Sequence, residues 1–289
     1  MEQASTLLTA LGMAFGTSAA GILITTRGSW QRLRGSVLTR RYLTWLVLAV
    51  AYGVPLLLGV PGMLVLATLL AAQGAREAVP LLRLTRPYDV ALIGVCAAMP
   101  LLLRIGGDGA AIGVTLAVSL GLAMVRGRAD ETDMAARLAF GALLVGWTLA
   151  HLAVLAAAGM GWVALALFGT AVSDVCAFVV GSLLKGPKLA PHLSPGKTWA
   201  GLAGNLLGGA IALALIAPML PPLSAGWTTL AIVAIGGGGC IGDLAESLLK
   251  RAAGVKDAGT WLPGFGGLLD RVDSLLVVAP LLALLVSRR

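Results

Sequence analysis

The chain has 289 residues, of which 58% are hydrophobic and only 12% are charged, and its mean hydropathy is +0.93. Soluble domains carry roughly 25% charged residues, so this composition excludes an ordinary water-soluble globular protein. The formal net charge of +8 at pH 7 favours contact with anionic lipid or phosphate, although basic loops that set membrane orientation also produce such a surplus.

Apolar runs close to the ~20 residues that cross a bilayer recur along the whole chain. The third run carries Arg76 and Glu77 near its end and the fourth is short, so we expect nine to ten spans. Because backbone polar groups in lipid must be paired internally, the predicted fold is an all-α, polytopic transmembrane helix bundle. The ten runs lie at about 5–26, 42–60, 62–82, 89–103, 109–125, 138–157, 161–181, 200–219, 227–249 and 272–286.

The first run follows Met1-Glu2-Gln3, without a positively charged start and without a small-residue cleavage pattern after it. We therefore expect a retained helix rather than a signal peptide. The bundle divides into N-terminal transmembrane helices at 1–160 and C-terminal transmembrane helices at 161–289, and the second part carries the candidate catalytic motifs.

Basic connecting segments alternate with loops that carry little or no charge, such as 158–160 and 218–226. With ten spans, every basic segment falls on one side of the membrane, which the positive-inside bias assigns to the cytoplasm. We therefore expect a multi-pass protein of the inner cell membrane whose active face is cytoplasmic and whose termini both lie outside. The basic segments are 27–41, 83–88, 126–137, 182–199 and 250–271.

Charged residues appear where the run at 227–249 ends. Asp243, Glu246, Ser247 and Lys250 are spaced i, i+3, i+4, i+7, which places them on one helix face. The glycines at 236–239 would let another helix or a ligand approach the backbone closely. The alternative is a plain Glu246–Lys250 ion pair at the membrane surface, but Asp243 lies deeper, where an acid is costly unless it is used.

The next segment, 250–273, combines glycines with cations and ends in Asp270, Arg271 and Asp273. Bare backbone N–H groups and Lys or Arg side chains suit phosphate. Asp270 and Asp273 stand at i, i+3 and are expected to face one point. Together with Asp243 they supply the hard oxygen ligands that Mg²⁺ prefers. The alternative is a solvated turn whose acids and bases merely balance.

A second basic loop covers 185–199, where prolines and glycines exclude a regular helix. Lys185, Lys188, His192 and Lys197 make it positive, and Asp174 lies in the preceding apolar run. A basic loop beside an intramembrane acid would hold a nucleotide or a lipid phosphate. On these residues alone, an ordinary cytoplasmic loop explains the pattern equally well.

The segment 247–273, SLLKRAAGVKDAGTWLPGFGGLLDRVD, resembles the signature of the phosphatidate cytidylyltransferase (CDP-diacylglycerol synthase) family. That pattern is S-x-x-K-R-x4-K-D-x-G-x-x-x-P-G-H-G-G-x-x-D-R-x-D, and this chain departs from it at Phe265, where the family has histidine. Phenylalanine neither donates a proton nor binds an anion. Shorter motifs also resemble the family, namely Gly242-Asp243-x-x-Glu246-Ser247, Ser194-Pro195-x-Lys197-Thr198-Trp199-x-Gly201 and the preceding Asp174.

The resemblance implies a membrane nucleotidyltransferase that forms CDP-diacylglycerol and pyrophosphate from CTP and phosphatidate, with Mg²⁺ as cofactor. It also implies contact with membrane lipids and none with nucleic acid, and it leaves a homodimer open. By this resemblance the catalytic residues are Asp243, Lys256, Asp257, Asp270 and Arg271, the substrate-binding residues are Ser194, Lys197, Ser247, Lys250 and Arg251, and the metal ligands are Asp243, Asp270 and Asp273.

Two other functions stay open on the sequence. Phe265 allows a divergent family member that acts on another lipid phosphate or is not catalytic. An ion-coupled transporter would use Asp174 and Asp243 as a relay, but it has no need for the charged loop at 250–273.

Overall fold

The structure, a computed structural model, describes residues 47, 50–128, 130–259, 261 and 266–289 of the chain. The predicted span at 5–26 and the substituted signature position Phe265 lie outside these residues. Within them the chain is almost entirely helical, as expected for apolar runs that must pair their own backbone groups in lipid.

The first half forms a group of long helices. Helix α1 spans Gly59–Leu81 and α2 spans Tyr88–Arg126. Helix α3 (Glu131–Gly141) continues through a π-helical turn, Ala142–Trp147, into α4 (Thr148–Ala158).

The runs predicted at 89–103 and 109–125 are the two halves of α2, which is broken at Gly107. The backbone there has φ +64° and ψ −167°, a conformation that glycine adopts without the strain imposed by a Cβ atom. Asp108, the next residue, accepts a hydrogen bond at Oδ1 from Trp147 Nε1 at 2.8 Å, so the break is held by a contact with the π-helical turn.

The second half contains α5 (Met160–Leu184), α6 (Trp199–Ile216) with a 3₁₀ turn at Ala217–Met219, and α7 (Ala225–Ala253). A one-turn helix, α8 (Leu269–Val272), leads into α9 (Leu275–Ser287). Between α5 and α6 the basic loop forms a hairpin of two antiparallel strands, β1 (Lys188–Ala190) and β2 (Ser194–Thr198). This hairpin is the one β-sheet among the described residues, and it ends where the Thr198 side chain caps α6 by accepting a hydrogen bond from Gly201 N.

Six helices within the described ranges are long and apolar enough to cross a membrane. This confirms an all-α membrane bundle, while the expected nine to ten spans stay a prediction. Two described segments make the number smaller: the broken α2 counts once, and α9 has 13 residues. The six helices are Gly59–Leu81, Tyr88–Arg126, Glu131–Ala158, Met160–Leu184, Trp199–Met219 and Ala225–Ala253.

Glycines bring the helices that form the site close together. A Cβ atom added at Gly208 would lie 2.6 Å from Ser173 Cα on α5, and one at Gly236 would lie 2.7 Å from the backbone oxygen of Asn205 on α6. A Cβ atom at Gly242 would overlap the backbone of Asp273. The expectation that glycines of α7 admit close neighbours is therefore confirmed, and α5, α6, α7 and the start of α9 meet almost backbone to backbone.

Candidate active site

A cavity of about 810 Å³ lies between the hairpin, α5, α6, α7 and α8. On the α5 and α6 side, Ala177, Gly181 and Gly201 contribute small apolar positions to its wall. Charged side chains reach it from both basic segments and from within the bundle. They are Asp174, Lys185, Lys188, Lys197, Asp243, Asp270, Arg271 and Asp273.

Asp243 joins the hairpin to α7. Its Oδ2 atom lies 2.6 Å from Lys197 Nζ, and its Oδ1 atom accepts a hydrogen bond from Ser274 Oγ at 2.8 Å. Lys197 Nζ is also 3.3 Å from the backbone oxygen of Cys240, one turn earlier on α7. The two side chains of this ion pair are only about a fifth to a quarter exposed, so water screens it less than a surface pair.

Two further carboxyl groups adjoin Asp243. Ser274 Oγ is 3.4 Å from Asp174 Oδ2, and the side chain of Asp273 is within hydrogen-bonding contact of Asp243. We call Asp174, Asp243 and Asp273, with Lys197, the acidic cluster. Three carboxyl groups beside one ammonium group leave an excess of negative charge, which either a proton or a cation would relieve.

Asp270 belongs to a different set of contacts. Its Oδ1 atom lies 2.6 Å from Lys250 Nζ, and its Oδ2 atom accepts hydrogen bonds from Ala258 N at 3.0 Å and Gly267 N at 2.8 Å. Burial works to raise the pKa of Asp270, but hydrogen bonds, above all from Lys250, hold that pKa below its ordinary value. Asp270 is therefore an ionised carboxylate whose two oxygens are both occupied.

Lys250 also contacts Glu246, as the simple i,i+4 interpretation predicts. The Glu246 side chain is 1% exposed, so this pair is buried within the protein. Since Lys250 also bonds to Asp270 of α8, the pair helps to join α7 to α8. We call the segment between these two helices, residues 254–268, the signature loop.

The expected facing of Asp270 and Asp273 toward one point is not what the contacts show. Both line the cavity, but Asp270 turns to Lys250 and Asp273 to Asp243. The neighbours of the two residues differ: Lys250 and the N–H groups of the preceding loop engage Asp270, whereas the backbone of Asp273 packs against Gly242 of α7. Among the residues that the structure describes, no group of three or more His, Cys, Asp or Glu side chains is arranged to hold a metal ion.

The other predicted site residues lie around the cavity and not in its wall. Lys256 and Asp257 are exposed in the loop after α7, and Arg251 is exposed with its Nη1 donating to Val255 O at 3.1 Å. Ser194 and Ser247 are partly buried. The structure thus brings five predicted residues to one cavity, namely Lys197, Asp243, Asp270, Arg271 and Asp273. Lys250 does not line the cavity but donates a hydrogen bond to Asp270.

Three residues at the site were not predicted. Ser274 binds the acidic cluster, and Asn205 lines the cavity while being only 5% exposed. Glu77 of α1 accepts hydrogen bonds from Leu268 N and Leu269 N. Only Glu77 had a signal in the sequence, because an acid inside an apolar run is costly unless it has a partner.

The backbone N–H groups of the glycine-rich loop have partners within the protein. Those of Ala258 and Gly267 donate to Asp270, and those of Leu268 and Leu269 donate to Glu77. At these four positions the N–H groups form charge-assisted hydrogen bonds with carboxylates, while the expectation that N–H groups of this loop surround phosphate stays a prediction.

A sequence model of the cytidylyltransferase family matches residues 39–288 of the chain. Phosphatidate cytidylyltransferase of Brucella suis is 46% identical over 118 residues, which are 39% of this chain and 42% of the relative. Phosphatidate cytidylyltransferase of Mycobacterium bovis is 38% identical over 122 residues, 41% of this chain and 39% of the relative.

A third relative, the Escherichia coli protein named "Uncharacterized protein YnbB", is 44% identical over 111 residues, 38% of this chain and 37% of its own length. The chain thus spans about two fifths of the length of the curated relatives it matches. Because the family match covers most of the sequence, this protein belongs to the cytidylyltransferase family.

Proposed function

We propose that this protein transfers the cytidylyl group of CTP to phosphatidate, forming CDP-diacylglycerol and pyrophosphate. The observation that carries the proposal is the cavity where the acidic cluster meets cations from the hairpin and from α8. Family membership and the names of the Brucella and Mycobacterium relatives support the same activity. They also favour an enzyme over an ion-coupled transporter.

The residues fit the main difficulty of this reaction, which is to bring two polyanions together. A phosphatidate oxygen is already anionic, so it attacks the α-phosphorus of CTP without a separate base, and pyrophosphate leaves with the electron pair of the broken P–O bond. Lys185, Lys188, Lys197 and Arg271 line the cavity and would bind the phosphates of the two substrates. Lys197 pairs with Asp243 and would exchange that partner for a substrate phosphate.

Asp243 and Asp273 are the residues best placed to hold a divalent cation, because their carboxyl groups are in contact in a cluster with excess negative charge. Lys250 and two backbone N–H groups donate hydrogen bonds to the oxygens of Asp270. We therefore propose Asp270 as a third cation ligand only when nucleotide is bound. Mg²⁺, when bound, would supply charge neutralisation to the triphosphate and to the leaving pyrophosphate.

We further propose the arrangement in the membrane. The protein has nine to ten spans, with helices at 1–160 supporting those at 161–289, and it lies in the inner membrane. The cavity opens toward the cytoplasm, where CTP is available, and the hairpin and the loop after α7 both belong to predicted cytoplasmic segments. Four cations that line the cavity, Lys185, Lys188, Lys197 and Arg271, belong to two of the basic segments, which the positive-inside bias favours on the cytoplasmic side.

The proposal is tested by incubating the purified protein in detergent with CTP, Mg²⁺ and phosphatidate, and measuring pyrophosphate and CDP-lipid together. We expect both products in equal amounts, and neither when EDTA is added in excess. A panel of nucleotides and lipid phosphates in the same assay identifies the preferred substrates. Absence of both products from every pair in the panel would refute a nucleotidyltransferase.

A divergent activity is the second candidate, and Phe265 is the observation that favours it. If the missing histidine limits cytidylyl transfer, the Phe265→His variant should increase CDP-diacylglycerol formation by about 10²-fold or more, since a positioned acid or base typically contributes 10²-fold to 10⁴-fold. The matched change is Trp261→His in the same loop. An unchanged rate in Phe265→His would show that this chain does not depend on a histidine there.

Lys256 gives a further test, because it matches the signature but is exposed outside the cavity wall. If it reaches the CTP phosphates, Lys256→Ala should raise KM for CTP by about tenfold or more, since a charged hydrogen bond contributes ~1.5–3 kcal/mol. The effect should shrink at high salt. Lys188→Ala provides the comparison within the wall, and a KM equal to the wild-type value in Lys256→Ala would remove Lys256 from the binding site.

A further inference from the structure

Glu77 is a buried carboxylate on α1 that has no part in the proposed chemistry. Glu77 is 6% exposed, and both of its carboxylate oxygens accept hydrogen bonds from backbone N–H groups near the C-terminal end of the chain. Oε1 accepts from Leu268 N at 2.9 Å and from Gln73 Nε2 at 3.0 Å, and Oε2 accepts from Leu269 N at 2.8 Å. Both oxygens of this acid in an apolar helix therefore accept hydrogen bonds from backbone N–H groups.

Two glycines of the signature make room for this carboxylate. A Cβ atom added at Gly259 would lie 3.1 Å from Glu77 Cδ, and one at Gly267 would overlap the Glu77 carboxylate. Neither Gly259 nor Gly267 has a positive φ, so backbone conformation does not explain these glycines. Close approach of Glu77 does.

Glu77 and Asp270 divide three consecutive N–H groups between them. Gly267 N donates to Asp270, while Leu268 N and Leu269 N donate to Glu77. These bonds fix the point at which the chain turns into α8, the helix that presents Asp270 and Arg271 to the cavity and leads to Asp273. A shift of this turn would move all three side chains together.

We propose that Glu77 is a positioning residue, which anchors the signature loop to the N-terminal half of the bundle and so sets the place of Asp270, Arg271 and Asp273. The kinetic part of this inference rests on the proposed cytidylyl transfer, but the structural part does not. It also assigns a role to the N-terminal helices beyond that of a membrane scaffold.

The test uses the full-length protein with Glu77→Gln and Glu77→Asp. In the glutamine variant one oxygen remains, but the amide NH₂ group must face either Leu269 N or the pair formed by Leu268 N and Gln73. We expect kcat to fall about 10²-fold, the order found when reacting groups are misplaced by about 1 Å. KM for CTP should rise by a smaller factor than kcat falls, because three of the four cations that line the cavity, Lys185, Lys188 and Lys197, are untouched. Glu77→Asp keeps both acceptors and should recover part of kcat.

The matched control is Glu131→Gln, which removes the charge of a carboxylate that is 4% exposed and paired with Arg126 at 2.7 Å. It should leave kcat at the wild-type value. A readout independent of turnover is tryptic cleavage after Arg251 and Lys256, both exposed beside the loop. Cleavage in folded protein should be about tenfold faster in Glu77→Gln than in the wild type or in Glu131→Gln.

The outcomes separate this inference from the proposed function. Wild-type cleavage and wild-type kcat in Glu77→Gln would overturn it, as would equal losses in Glu77→Gln and Glu131→Gln. If the wild type forms no CDP-lipid, the proposed function fails, and the cleavage rates alone decide whether Glu77 anchors the loop.

Discussion

Replacing Asp243 with alanine should lower the rate of CDP-lipid formation by about 10³-fold, which corresponds to ~4 kcal/mol of transition-state stabilisation. Asp243 is the centre of the acidic cluster, since it contacts Lys197, Ser274 and Asp273. Its removal deprives a bound cation of a ligand and releases Lys197 from its place at the cavity wall. The measurement is the initial rate of pyrophosphate release by purified variant and wild type at saturating CTP and phosphatidate.

The matched control for this prediction is Asp133→Ala. Asp133 pairs with Arg137 at 2.7 Å on α3, with 60% of its side chain exposed, so the pair contributes ~0–1 kcal/mol to stability. Asp133→Ala should keep the wild-type rate. Asp243→Glu retains the charge but extends it by one methylene group, and an intermediate rate is expected. A rate for Asp243→Ala close to that of Asp133→Ala would contradict a catalytic acidic cluster.

The sequence predicted the helices well because lipid imposes one strong requirement on every span. The run at 62–82 became α1 at Gly59–Leu81, and the run at 161–181 became α5 at Met160–Leu184. Apolar composition is local information, so each run indicates its own helix. It gives no information on which helices adjoin, and the break at Gly107 inside α2 was seen only as a gap between two runs.

The site was harder to predict because its contacts join distant parts of the chain. Lys197 and Asp243 are 46 positions apart in different elements, so helical spacing cannot predict that they form an ion pair. Spacing did relate Asp270 to Asp273, but residues distant in sequence decide their partners: Lys250 contacts Asp270 and Asp243 contacts Asp273. The family resemblance predicted site residues on both the hairpin and the segment after α7. Helical periodicity alone predicted only the charged face of α7.

Glu77 shows the same limit most clearly. It lies 191 positions before Leu268, and nothing in the signature itself requires an acid from another helix. Glycines in such a loop are equally consistent with phosphate binding and with close packing. Only the three-dimensional contacts show that Gly259 and Gly267 face a carboxylate. An unexplained acid in a predicted span therefore merits a search for unpaired backbone donors elsewhere in the chain.

Asp270→Asn should be the second most damaging single change, with a loss of kcat of about 10²-fold to 10³-fold. Both oxygens of Asp270 act only as acceptors: Oδ1 faces Lys250 Nζ, and Oδ2 faces the N–H groups of Ala258 and Gly267. Whichever way the asparagine amide turns, its NH₂ group faces a donor. One contact is lost in either case, and Lys250 or the loop shifts.

The loss of rate in Asp270→Asn should not depend on pH in the neutral range. Since hydrogen bonds hold the pKa of Asp270 below its ordinary value of 3.8, the wild-type carboxylate stays ionised throughout the neutral range. The stability that its ionised form contributes is present above that value and declines only as the pH falls through the lowered pKa. The ratio of wild-type to Asp270→Asn rates should therefore be constant between about pH 6 and about pH 8.

Asp130→Asn is the control for Asp270→Asn, because Asp130 pairs with Arg128 at 3.3 Å and is 67% exposed. Thermal unfolding of both variants, followed in detergent, separates a loss of stability from a loss of chemistry. We expect Asp130→Asn to match the wild type in rate and melting temperature. Asp270→Asn should still bind CTP, because the lysines of the hairpin remain, while its turnover falls. If its rate equals that of Asp130→Asn, then the contact of Asp270 with Lys250 serves folding alone, and catalysis must be assigned to the acidic cluster without Asp270.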